Sequence, residues 1–64
     1  MGKRIKELRT EGELSQKDLA ERVGVAQNTI AQYEKGTAKP SLDVLVKLAV
    51  TFNTTTDDVL GIID

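Results

Sequence analysis

The 64-residue sequence predicts an all-α fold, a compact bundle of five short helices. Three observations predict it. No segment alternates apolar and polar residues between turn signals, so no strand is expected. Apolar residues instead recur three or four apart, as in Leu42, Leu45, Leu48, Ala49 and Phe52. Capping hydroxyls and glycines bracket these stretches and leave only tight turns between them.

The first helix is expected over about Lys3–Glu11, with Ile5 and Leu8 inward and Gly12 as its terminal glycine. Ser15 caps the second, and Asp18, three residues on, completes a capping box. Leu19, Ala20 and Val23 form its apolar stripe, and Gly24 stops it. The bend Gly24-Val25-Ala26 leads into a third helix, Gln27–Lys35. So short a separation forces the two helices to cross steeply, the helix-turn-helix geometry, over about residues 16–35. Gly24 supplies the left-handed φ that the bend needs, and Val25 fills the space between the helices. A loop, Thr37-Ala38-Lys39-Pro40, precedes Ser41, the cap of a fourth helix. There Leu42, Leu45, Leu48, Ala49 and Phe52 share the inward face, and Val44 falls off it. Thr55 caps a short fifth helix ending near Leu60-Gly61, and Ile62-Ile63-Asp64 remain as a tail.

Residues 1–64 read as one domain. A chain this short buries only about 60% of its unfolded surface, which leaves one small core and no deep catalytic cleft. Cysteine and histidine are both absent. Disulfides, Cys/His zinc sites, thiol nucleophiles and imidazole acid–base chemistry are therefore excluded, and neither enzymatic activity nor a cofactor is expected. A reducing, cytoplasmic location fits this usage. The most apolar stretch, Leu42 to Phe52, is interrupted by Asp43 and Lys47 and is too short to cross a bilayer. The formal net charge of −1 is unevenly spread. Residues 1–40 carry eight Lys/Arg against six Asp/Glu, or +2, and residues 41–64 one Lys against four Asp, or −3.

On a wheel at about 100° per residue, Ile30 and Tyr33 mark the inner side of the third helix, with Glu34 close to Ile30. The remaining arc holds Gln27, Asn28, Ala31, Gln32 and Lys35: three primary amides, one methyl, one cation and no carboxylate. An amide offers a donor and an acceptor together, so Asn or Gln can pair bidentately with the N6/N7 edge of adenine. Ala31 suits a thymine methyl and Lys35 a phosphate. Directly after a helix-turn-helix bend, this arc is expected to read DNA. Glu34, an acid on the inward side, needs a partner, and Arg9 at the edge of the first helix's inner face is the natural one.

Leu14-Ser15-Gln16-Lys17-Asp18-Leu19-Ala20, Val25-Ala26-Gln27-Asn28-Thr29-Ile30, Tyr33-Glu34-Lys35-Gly36 and Pro40-Ser41-Leu42 resemble the Cro/C1-type (Xre) helix-turn-helix family, which includes phage repressors. The resemblance extends from Ile5 to Leu60. It implies a five-helix, lambda-repressor-like DNA-binding domain that works as a dimer on palindromic operators. Carried over by position, the base readers are Gln27, Asn28 and Gln32. Gln16 matches a position that touches a phosphate and braces the recognition helix. Further phosphate contacts map to Lys35, Thr37 and Lys39, and Arg9 with Glu34 matches a buried pair. Three departures stand out. Ala26 replaces the Ser or Thr that caps the recognition helix. Thr56 and Asp58 occupy positions that phage-type members make apolar for the dimer contact, which leaves Val44 as the expected apolar contributor. The net charge predicts weaker non-specific DNA affinity than a basic repressor has.

The leading expectation is thus a sequence-specific transcriptional repressor that dimerises on double-stranded DNA. The alternative keeps the fold but neutralises a toxin or other protein partner, with Ile62-Ile63 and the acidic tail as contacts.

Overall fold

The structure, a computed structural model, describes residues 1–62 and contains helices α1 (Gly2–Glu11), α2 (Gln16–Val23), α3 (Gln27–Lys35), α4 (Leu42–Thr51) and α5 (Thr56–Leu60). The tail residues Ile63 and Asp64 lie outside the described residues. No helix among those described is long and apolar enough to cross a membrane.

Local chemistry sets most of the boundaries. The Ser15 hydroxyl accepts from the Asp18 amide while the Asp18 carboxylate accepts from the Ser15 amide, closing the capping box at both ends. The Ser41 and Thr55 hydroxyls accept from the Val44 and Asp58 amides in the same way. Gly24 ends α2 in the left-handed conformation, φ 76°, and donates to the Ala20 carbonyl. Gly12 follows the end of α1 as expected, without itself turning left-handed. Gly12 has φ −83°, and it is Glu13 that turns left-handed, at φ 58°. The reversal falls one residue later because Glu13 and Leu14 donate to the Thr10 and Arg9 carbonyls, which fixes the turn beyond the glycine.

One core joins the five helices. Ile5, Leu19, Ile30, Leu48 and Val59 are completely buried, with Ala20, Val23, Tyr33, Leu45 and Ala49 nearly so. Leu8, Val25 and Phe52 pack against its margin. Two expectations for α4 fail. Leu42 is 75% exposed, because it occupies the first turn, at the edge of the stripe, with nothing seated over it. Val44 packs on the core instead of standing free.

Two tertiary contacts hold the start of α1. Lys3 and Arg4 in its first turn are electrostatically unfavourable beside the positive end of the helix dipole. Arg4 is compensated by Asp58, which accepts from its Nε at 2.9 Å and its Nη2 at 3.1 Å. The hydrogen bonds from Arg4 and from the Thr54 hydroxyl hold the Asp58 carboxyl below the usual carboxylate range, against partial desolvation. Gly2 meets the other end of the fold. A Cβ there would collide with the Tyr33 and Glu34 carbonyl oxygens, so the first turn of α1 sits directly on the last turn of α3. Gly2→Ala is expected to cost about 1–2 kcal/mol through this overlap, checked by urea titration. An unchanged midpoint would mean that the first turn moves aside freely.

Candidate nucleic-acid interface

The bend between α2 and α3 places the third helix. Gly24 and Val25 both donate to the Ala20 carbonyl, at 2.9 and 3.0 Å, which wraps the end of α2 tightly. Ala26 then extends at φ −73°, ψ 151°, and its carbonyl receives the Thr29 and Ile30 amides. Ala26 has the backbone of an N-cap but no side-chain acceptor. Ala26→Ser is accordingly expected to stabilise the fold by about 1 kcal/mol, read as a higher Tm. A lower Tm would show that the methyl packs where a hydroxyl cannot.

Ile30 and Tyr33 enter the core. Between them and solvent lies a polar brace joining three helices. Arg9 of α1 donates from Nε and Nη2 to the two Glu34 oxygens, at 2.6 and 3.2 Å, and from Nη1 to the Leu14 carbonyl at 2.9 Å. Gln16, at the start of α2, donates through Nε2 to Glu34 Oε1 at 3.1 Å. The two charged side chains are only 12% and 6% exposed. Burial pushes the Glu34 carboxyl up, but the hydrogen bonds from Arg9 and Gln16 and the charges of Arg9 and Lys6 outweigh it and hold it below the usual range. One carboxylate thus fixes how α3 is rotated against α1 and α2.

That rotation turns the amides outward. Gln27, Asn28, Gln32 and Lys35 are exposed along one face of α3, with Thr29 and Ala31 partly buried at its sides. Gly36 closes the helix at φ 81°, and Thr37 folds back, its amide and hydroxyl both donating to the Gln32 carbonyl, at 3.0 and 3.3 Å. The Thr37 hydroxyl keeps its acceptor side free. Lys39 is exposed in the loop that follows. The Gln16 side chain, by contrast, spends an amide hydrogen inside the brace and keeps its second hydrogen and its oxygen for an outside contact. Sequence reasoning missed Arg4–Asp58 and Gly2 altogether. The first pair lies 54 residues apart, and nothing in either local segment signals it.

The arrangement is a rigid helix presenting neutral amides, flanked by cations and without a carboxylate on its outer face. It suits hydrogen bonding to base edges in a major groove, which admits an α-helix.

Known proteins share this frame. A helix-turn-helix family model matches residues 5–59. The transcriptional regulator ImmR of Bacillus subtilis is 38% identical over 61 residues, which is 95% of this chain and 48% of that protein. The antitoxin PezA of Streptococcus pneumoniae is 34% identical over 61 residues, 95% of this chain and 39% of its own length. The chain thus spans under half of either relative. SinR, a master regulator of biofilm formation, in complex with DNA superposes with a TM-score of 0.84 at 32% identity, over 92% of this chain and 95% of the SinR chain in that structure. The P22 c2 repressor bound to a synthetic operator gives 0.87 at 28% identity, over 91% and 88%. By the match over residues 5–59 and by these relatives, the chain belongs to the Cro/C1-type helix-turn-helix family, a family of DNA-binding regulators and not of enzymes.

Proposed function

We infer that the chain is a sequence-specific DNA-binding regulator, a repressor acting in the cytoplasm, which binds a palindromic operator as a dimer. The observation that carries this reading is the outer face of α3, where Gln27, Asn28 and Gln32 stand exposed with no carboxylate among them. Gln27, Asn28 and Gln32 contact base edges. Gln16, Lys35, Thr37 and Lys39 contact phosphates and set the register of the helix on the duplex. A monomer covers only a few base pairs, so two recognition helices about 34 Å apart are needed to read a longer site.

The likeness to an antitoxin supports a second reading, in which the same fold neutralises a protein partner. Selection from random duplex DNA separates the two. Enrichment of a palindrome carries the first reading, and absence of any enrichment carries the second.

A further inference from the structure

Three large aliphatic side chains of α4 have nothing over them. Leu42 is 75% exposed, Val46 46% and Val50 74%. Their four-residue spacing makes one stripe along the helix. Another face of the same helix delivers Leu45, Leu48 and Ala49 to the core. We propose that a second copy of this chain covers the stripe, its α4 lying antiparallel to the first and crossing it near Val46 on a two-fold axis. This deepens the dimeric reading above and rests on it.

The pattern is self-complementary, as a two-fold contact requires. An antiparallel pairing about Val46 sets Leu42 against Val50 of the other copy and Val46 against itself. Asp43 and Lys47 flank the stripe on one side of the wheel. In this register the Lys47 of the other copy lies two positions, about 3 Å along the axis, from the level of each Asp43, within reach of its long side chain, in two equivalent ion pairs. Neither residue joins an ion pair within the chain among the described residues. The alternative surface on α5 is already committed. Both Asp58 oxygens accept from Arg4, and one of them also accepts from the Thr54 hydroxyl at 2.7 Å.

Area sets the strength. Three side chains at these exposures offer roughly 300 Å² per copy, well under the ~800 Å² per partner of a stable interface. The pair is therefore weak in free solution. It becomes firm when two adjacent half-sites hold the copies together and raise their effective concentration.

Cysteine substitution and sedimentation test this. The chain has no cysteine, so V46C carries a single thiol. On the axis, its two thiols should cross-link under mild oxidation about tenfold faster than those of E21C, an exposed control on α2, whose encounters are random. At about 1 mM the unmodified chain should sediment partly as a dimer, while Val46→Asp stays monomeric with a native helical spectrum. If Val46→Asp fails to fold, Val50→Lys, at a more exposed position, replaces it. On a selected palindrome Val46→Asp should bind about tenfold more weakly yet still enrich the half-site. A monomer at 1 mM together with equal cross-linking rates for V46C and E21C overturns the interface, as does unchanged palindrome affinity in Val46→Asp. Failure of the DNA reading looks different: no sequence is enriched by any form, while cross-linking through V46C persists.

Discussion

Glu34→Ala is expected to remove about 3 kcal/mol of stability, since it leaves the Arg9 guanidinium buried without its counter-charge. A domain of this size has only about 3–10 kcal/mol in total, so the variant sits at the edge of folding. Each kcal/mol corresponds to about 4–8 °C in Tm at this length, which makes the expected drop more than 10 °C. Arg9→Ala should lose a similar amount. It strands the Glu34 carboxylate with only Gln16 as donor and also frees the Leu14 carbonyl. The pair is structural on this account, and the double variant Arg9→Met/Glu34→Met decides the mechanism. With neither charge left unpaired it should be more stable than either single alanine variant. Losses that simply add would show that the charges act independently, and unchanged melts in both singles would show that the brace contributes nothing. The pH dependence has a definite sign. Because the folded Glu34 carboxyl titrates below its ordinary value, its contribution is complete above the unfolded pKa of about 4.3 and is lost as pH falls through the lower folded pKa. Asp58 shares that direction, through its hydrogen bonds from Arg4 and Thr54. Acid should therefore loosen both the seat of α3 and the start of α1.

Those two carboxylates also mark how far the sequence reaches. Short-range rules place the α2–α3 bend, because Ser15, Asp18 and Gly24 act on neighbours within four residues. Helical periodicity assigns Ile5, Leu19, Ile30 and Leu48 to the core, where each is fully buried. Glu34 is legible as an acid in need of a partner because its inward position violates the burial rule. Asp58 breaks no local rule and so gives no signal, although it makes the bidentate contact that compensates Arg4 at the start of α1. Leu42 and Val44 exchange their expected roles for a related reason. A wheel treats every turn of a helix alike, whereas burial in the first turn depends on what happens to lie opposite. Gly2 is legible only in three dimensions, since its constraint comes from carbonyls more than thirty residues away.

Asn28→Ala or Gln32→Ala is expected to lose about 1–3 kcal/mol on the selected operator and much less on random duplex DNA. Both side chains are exposed on α3, so on the proposed DNA reading a truncation should remove a base contact without disturbing the core. Lys39→Ala should behave differently. An exposed cation in the loop after α3 contributes by releasing counter-ions from phosphate, which every sequence possesses. Its removal should weaken operator and random DNA alike and lower the salt slope by about one per bound monomer. Gln16→Ala should add a loss of stability to the second pattern, because its amide donates to Glu34. It should lower affinity on all sequences and also lower Tm. Equilibrium binding to the operator and to a scrambled duplex, at several salt concentrations, separates these cases. Equal losses on both duplexes for Asn28→Ala and Gln32→Ala would make the amides anchors and not readers. No loss from any of the three single variants at 28, 32 and 39 would mean that α3 does not enter the groove, and the protein-partner reading would then replace the DNA one.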